Sequence, residues 1–284
     1  MKKILMAMAA ALMLAACGNG DGELVADVTP ADTMKTAKIT FTFGSYSQQS
    51  MTRATLSDAQ MKDLWMFDYM NDELVQTIHQ TSDADGFGLV SINADYGEHH
   101  FCFVASRGTD PTVDGTVISW ARPSDTFWAT SSLNIQPTTS GNQQISLQRV
   151  ATRLRISVTD EVPATLSKLA VTPSAWYYGL DYLTGEATTE QTTERAVSIP
   201  ESYIGTTGNL TMSIYGLSPA TEWQTDVTVT AKASDETQIA SVTIPSVPFT
   251  RNRITSYTGS LFGQTRAFTI SVDSEWLDDY EATW

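Results

Sequence analysis

The stretch Arg153-Leu154-Arg155-Ile156-Ser157-Val158 places Leu154, Ile156 and Val158 on one side of an extended chain and Arg153, Arg155 and Ser157 on the other. Successive side chains of a strand point to opposite faces, so this period of two predicts a strand with one buried and one wet face. The alternation recurs in Ile39, Phe41 and Phe43, in Trp65, Phe67 and Tyr69, and in Leu210, Met212 and Ile214. Val227 and Val229, Val242 and Ile244, and finally Phe268, Ile270 and Val272 repeat it. No run longer than about eight residues carries a 3.6-residue period, so helix is at most a minor component. Turn signals such as Asp83-Ala84-Asp85-Gly86, Arg107-Gly108-Thr109-Asp110-Pro111, Thr184-Gly185 and Thr258-Gly259 separate the runs at short intervals. Many short strands so spaced are the pattern of β-sandwiches. A polar stretch from Pro137 to Gln144 interrupts them near the middle, which predicts an all-β chain of two tandem sandwiches, 36–144 and 145–284. No repeat of 20 to 50 residues is visible in the sequence, which disfavours solenoids and propellers.

The 284 residues carry a formal charge of −15, from 17 Lys and Arg against 32 Asp and Glu. Such a chain is repelled by phosphate backbones, which excludes nucleic acid as a partner. The N-terminus has its own logic. Lys2 and Lys3 precede thirteen residues, Ile4 to Ala16, that are all Ile, Leu, Met or Ala. That run falls short of the roughly 20 residues a membrane-spanning helix needs, so residues 1–16 are read as an export signal. Leu14-Ala15-Ala16-Cys17 resembles the bacterial lipobox, in which the Cys thiol is acylated and the preceding peptide removed. Several acyl chains on Cys17, at about 0.8 kcal/mol per buried CH₂, give a lasting membrane attachment. The Gly-rich, acidic segment Gly18 to Glu23 then reads as part of a flexible tether over 17–35.

Catalytic or metal chemistry finds no constellation to rest on. His79 and the pair His99-His100 lack zincin spacing, and neighbours on a strand face opposite ways. Asp83-Ala84-Asp85-Gly86 lacks the later ligands and the closing Glu of a calcium loop and is read as a turn. There is no phosphate-cradling loop and no Gly-x-Ser-x-Gly elbow. The expectation is therefore no enzyme, no cofactor and no metal. Cys102, alternating with Phe101 and Phe103, is expected to pack as a small apolar side chain in a strand. Trp176-Tyr177-Tyr178 offers an alternative, an exposed aromatic platform on which a surface lipoprotein could stack glycans.

Three strings resemble the Bacteroidales fimbrillin superfamily, the subunits of type V pili. Pro248-Phe249-Thr250-Arg251-Asn252-Arg253-Ile254-Thr255 through Gly259-Ser260-Leu261-Phe262 resembles that family's Arg-Asn-x-x-Thr-x-x-x-Gly-x-Leu element. Gln148 to Ile156 resembles the strand opening its second domain, and Asp63 to Tyr69 an early strand. The resemblance implies two transthyretin-like sandwiches exported as an outer-membrane lipoprotein, assembled into or anchoring a surface filament. The implied partners are other fimbrial subunits, the outer membrane through the acyl chains, and ligands on host or bacterial surfaces. It also implies joining by strand exchange. Polymerising members are cut after an Arg that follows the first strand, a place matched here by Arg53-Ala54, and a neighbour's terminal strand fills the vacated groove. Phe268, Ile270 and Val272 are then the donated stripe, and Ile39, Phe41 and Phe43 the stripe they replace. Anchor and accessory members keep their lipid and are not processed.

Overall fold

A computed structural model describes residues 35–45, 60–139, 141–263 and 267–273. The expected export signal, Cys17, the tether and the Arg53-Ala54 site lie outside these residues. Those described belong to one compact unit. The first half contributes β1 (Thr36–Ser45), β2 (Asp63–Met70), β3 (Glu73–Thr81), β4 (Leu89–Asp95), β5 (Gly97–Ser106), β6 (Thr112–Asp114), β7 (Val117–Ser119), β8 (Thr126–Ile135) and β9 (Asn142–Arg149). The second contributes β10 (Ala151–Val158), β11 (Lys168–Pro173), β12 (Trp176–Asp181), β13 (Glu186–Gln191), β14 (Arg195–Ser198), β15 (Leu210–Leu217), β16 (Glu222–Lys232), β17 (Gln238–Thr250), β18 (Ile254–Ser260) and β19 (Ala267–Asp273).

In the first half the strand order is β3-β2-β5-β8-β9-β1-β4. The sheet turns a corner at β9, which pairs with β1 over Asn142–Leu147 and meets β8 only at Gln148 and Arg149. The two wings therefore face each other. Phe41 of β1 lies 4.8 Å from Phe101 and 5.1 Å from Phe103 of β5, measured between ring centroids. Ile39, Phe41, Phe43, Val90, Ile92, Ile145 and Leu147 fill this core from one wing, and Leu64, Met66, Phe101, Phe103 and Phe127 from the other. Ile39, Phe41 and Phe43 alternate as the sequence predicts, whereas Leu64, Met66, Phe101 and Phe103 lie in unbroken apolar runs, where the fold and not the period chooses the face turned to this core. Ile145–Arg149, which a division at 144/145 gives to the second sandwich, pair within this first sheet.

The second half has layers β15-β10-β18-β19 and β14-β11-β16-β17, around a core of Leu154, Ile156, Val158, Trp176, Leu210, Met212, Val227, Val229 and Phe249. Strand for strand it repeats the first. β10 is antiparallel to β15 and parallel to β18, as β1 is to β4 and β9. β14-β11-β16-β17 matches β3-β2-β5-β8, antiparallel throughout. Even the opening hydrogen bond recurs, from the Thr40 amide to the Gly141 carbonyl and from the Arg153 amide to the Arg253 carbonyl. A sheet needs only apolar residues at alternate positions, so this duplication leaves no repeat in the sequence.

Each half carries an inserted hairpin, β6-β7 before β8 and β12-β13 before β14, and the two join into one sheet. Gly179, Leu180 and Asp181 pair with Ser119, Ile118 and Val117. Beneath lies a third core of Phe67, Cys102, Val104, Ile118, Trp120, Leu180 and Tyr182 drawn from both halves. Tyr182 stacks on Phe67 at 3.7 Å, and its hydroxyl is 2.9 Å from that of Tyr69. Gly185, at φ +72°, permits close packing on Trp128, whose ring would lie 2.7 Å from an added Cβ.

One strand departs from expectation. Arg153, placed by alternation on a wet face, is buried, because Tyr215 and Ser213 of neighbouring β15 cover it. A second buried charge lies at the junction of the halves. Asp125 is fully buried and accepts from Arg149 Nε at 2.7 Å and Nη2 at 3.1 Å, with Arg107 at 3.4 Å. Arg149 Nη1 then donates to Asn252 Oδ1 at 3.0 Å, tying β9 to the turn after β17. Removing one member of a buried pair leaves the other uncompensated. Asp125→Ala is expected to lower unfolding stability by about 3–5 kcal/mol, read from urea denaturation of the purified chain.

Candidate functional site

The terminal strands are the candidate site, and they are held in opposite ways. β1 is internal. Seven residue pairs join it to β4 and six to β9, with Ile39 and Phe41 fully buried and Phe43 nearly so. Burying three such side chains stabilises the sandwich by about 1.5–3 kcal/mol each. Without β1, the groove between β4 and β9 would expose Val90, Ile92, Ile145 and Leu147, with Phe101 and Phe103 at its floor. β19 is an edge strand. Seven residue pairs join it to β18 alone, and its stripe is poorly covered. Phe268 packs against the second core, but Ile270 is 43% and Val272 46% exposed. The two stripes singled out in the sequence thus lie on different sandwiches of one chain and are not brought together.

The approach to β19 is fixed by Asp160, which the sequence reading did not single out, acting on residues of the family-like string. Asp160, just past β10, accepts hydrogen bonds from the Ser260 hydroxyl at 2.8 Å, the Phe262 amide at 2.7 Å and the Leu261 amide. Burial opposes ionisation of this carboxyl. The amides of Phe262, Leu261 and Gly263 and the Ser260 hydroxyl outweigh it and hold the pKa below the ordinary carboxylate value. Gly259 lets the strands close, since an added Cβ would lie 2.0 Å from the Ala267 carbonyl oxygen. Leu261 is fully buried in the second core.

The family-like Arg-Asn-x-x-Thr-x-x-x-Gly-x-Leu string therefore has a structural meaning. Arg251 donates to the Gly185 and Ser218 carbonyls at 2.9 and 3.0 Å. Asn252, at φ +60°, turns the chain and meets Arg149. The Thr255 hydroxyl donates to the Pro248 carbonyl at 2.8 Å. Gly259 admits β19, and Leu261 anchors the turn beyond it.

The aromatic platform is not formed. Trp176 is fully buried, donating Nε1–H to the Tyr215 carbonyl at 2.8 Å and packing on Phe249. Tyr178 is buried beneath Arg195. Tyr177 is half-buried, with its edge on Trp223 and its hydroxyl donating to Glu190. Trp176 and Tyr178 point into the second core and Tyr177 is engaged by Trp223 and Glu190, so the three rings do not form one exposed face.

The histidines are dispersed. His79 contacts Asp63 and stacks on Trp65, and His100 lies 3.1 Å from the Ser132 hydroxyl. His99 is buried, Nε2 donating to the Asp95 carbonyl at 3.0 Å and Nδ1 2.7 Å from Asp68 Oδ1. Burial raises the Asp68 carboxyl, partly offset by His99. Among the described residues no three His, Cys, Asp or Glu are grouped to hold a metal, and no helix is long and apolar enough to cross a membrane. Cys102 is buried as expected, and burial, with the Asp181 charge, pushes its thiol up to about 12.

Two outcomes follow from these environments. Asp160 contributes stability that is fully present above the ordinary carboxylate pKa near 4 and is lost as pH falls through its lower folded value. Asp160→Ala should therefore cost about 1–3 kcal/mol at neutral pH and speed hydrogen exchange at the Leu261 and Phe262 amides, with the deficit shrinking in acid. Cys102 should resist iodoacetamide at pH 8 in the native chain and react once the chain is unfolded.

Known structures share this architecture. A candidate adhesin from Bacteroides ovatus aligns over 87% of this chain and 97% of its own, with TM-score 0.54 at 12% identity. A candidate polysaccharide-binding protein from Bacteroides thetaiotaomicron aligns over 83% and 95%, with TM-score 0.55 at 11% identity. A candidate cell adhesion protein from Bacteroides ovatus aligns over 87% and 99%, with TM-score 0.53 at 13% identity. At such identities the likeness is one of fold, and it is the fold that the fimbrillin resemblance implies. No curated protein is similar to the chain in sequence. A family profile does match, over residues 112–284, from the first residue of β6 through the whole second sandwich. The chain belongs to that family, DUF6562, a family of unknown function.

Proposed function

We propose that this chain is a non-enzymatic, surface-exposed subunit of the fimbrial and adhesin class, carried to the outer membrane as a lipoprotein through Cys17. It works as a structural unit, joined to other subunits by extended strands and presenting its body to host or bacterial surfaces. The division of labour is one sandwich on either side of the polar stretch near 140. The observation that carries this reading is the unequal hold on the two terminal strands. β1 fills a closed groove with a fully buried stripe, whereas β19 lies on an edge with Ile270 and Val272 exposed. A strand with alternate apolar side chains and one free edge is suited to donation, and a groove lined by Val90, Ile92, Ile145 and Leu147 to receiving it. The Bacteroides adhesin-type proteins of the same fold support the surface role.

In the polymerising form, cleavage after Arg53 would release everything from Cys17 through β1, and β19 of a neighbour would take its place. The anchoring form stays uncut and keeps its lipid. A mature chain cannot begin at both Cys17 and Ala54, so mass spectrometry of the native N-terminus separates the two forms. Treating the purified chain with an Arg-specific protease should yield filaments visible by electron microscopy, and Arg53→Ala should abolish them. Monomers before and after cleavage, together with a lipidated N-terminus on cells, would restrict the protein to the anchor or accessory role.

A further inference from the structure

The strand-for-strand duplication singles out a second place for a strand to bind. In the second sandwich, β18 has β10 on one side and β19 on the other. In the first sandwich its counterpart β9 has β1 on one side, while on the other β8 reaches only Gln148 and Arg149. Among the described residues, no strand pairs with Asn142–Leu147 on that outer side. The hydrogen bond from the Thr40 amide to the Gly141 carbonyl fixes the polarity of this edge. In a parallel ladder the main-chain groups of Gly141, Gln143, Ile145 and Leu147 then face β1, and those of Asn142, Gln144 and Ser146 face outward. The equivalent bond, Arg153 to Arg253, gives β18 the same polarity, with Ile254, Ser256 and Thr258 facing β19.

We propose that the outer edge of β9 accepts β19 of a second copy of this chain, docked on it as β19 docks on β18. This rests on the reading that β19 is a donated strand, and it adds an acceptor that leaves β1 in place. Superposing Thr40 on Arg153 sets the register. Asn142 takes the place of Ile254, Gln144 that of Ser256 and Ser146 that of Thr258. On β19 these face Asp273, Ser271 and Thr269. The occupant is argued from the molecule itself, whose other half already covers the equivalent edge with this strand. Leaving β18 costs β19 its ladder and the packing of Phe268, but little burial of Ile270 and Val272, which are exposed there.

The chain's order makes such an acceptor necessary. Cys17 and β1 lie on the same side of Arg53, so any copy that keeps its acyl chains also keeps β1 and has no vacated groove. A membrane-held copy could still receive a neighbour at β9. Confinement to a surface would raise the effective concentration for this weak contact.

Mixing two variants of the full-length, lipidated chain that each carry one added cysteine tests this, one with Gln144→Cys and one with Ser271→Cys, both carrying Arg53→Ala so that β1 is retained and both with the Cys17 thiol held by its acyl group. Cys102 stays, being buried and unreactive. Directly opposed residues of an antiparallel pair lie within disulfide reach, so mild oxidation should give a disulfide-linked heterodimer. Gln76→Cys, on the far edge strand β3, should give none with Ser271→Cys. Adding Gln144→Pro to an otherwise unaltered uncut chain should abolish co-purification of tagged and untagged copies, because the outward amide is removed without loss of a β1 hydrogen bond. Unchanged thermal unfolding would show that the Pro variant folds, and the cysteine pair stands independently of it. Absence of the heterodimer from the uncut mixture, with its appearance after cleavage of chains that retain Arg53, would overturn the β9 acceptor and leave exchange at the β1 groove standing. Absence from both would overturn the two together. Equal linkage at Gln76 would also overturn the β9 site.

Discussion

Each sandwich is closed by a parallel pairing of its first strand with one far along the chain, β1 with β9 and β10 with β18. Neither first strand can find its final partner until the intervening strands have folded back, so the closing contact is far in sequence and comes at the cost of a long loop. The same arrangement puts the first strand in the middle of its layer, where Ile39 and Phe41, or Leu154 and Ile156, bury completely. A sandwich so built is complete with its first strand and open without it.

The two halves do not behave as beads on a string. The hairpins β6-β7 and β12-β13 leave their own sandwiches and share one sheet, over a core to which both halves contribute Phe67, Cys102, Leu180 and Tyr182. At the other side of the junction, Asp125, Arg149 and Asn252 link β9 to the turn that launches β18. Such a joint removes the free linker that tandem domains usually have between them. The strand that terminates the chain's described part is held differently, by a backbone ladder, by Phe268 and by the Asp160 carboxylate at its root. Side-chain ties are concentrated at the junction, and the edge strand β19 is the one with its apolar stripe half exposed.

The resemblance strings acquire their physical content here. Arg251 and Asn252 are joint residues, reaching carbonyls and a side chain outside their own strands. Gly259 exists so that β19 can approach, and Leu261 pins the turn that follows. None of them touches a reacting group. The aromatics available for sugar in an exposed-platform reading, Trp176 and Tyr178, are core residues, because their side of the strand faces the second core.

The sequence by itself determined the strands, since Ile39, Phe41 and Phe43, or Leu154, Ile156 and Val158, report burial through a local period that needs no knowledge of partners. It likewise determined the acidic character of the chain and the apolar fate of Cys102. Only the tertiary structure decided which strands are neighbours. That choice buried Arg153 beneath Tyr215, placed Ile145–Arg149 in the first sheet, brought Asp160 to the root of β19 and left Ile270 and Val272 half in water. The physical reason is that alternation specifies which side of a strand is apolar, but not what lies beyond its edges. Edges are satisfied by main-chain hydrogen bonds, which every residue can make, proline as an acceptor only, so the pairing that repeats one sandwich as the other is invisible until the chain is folded.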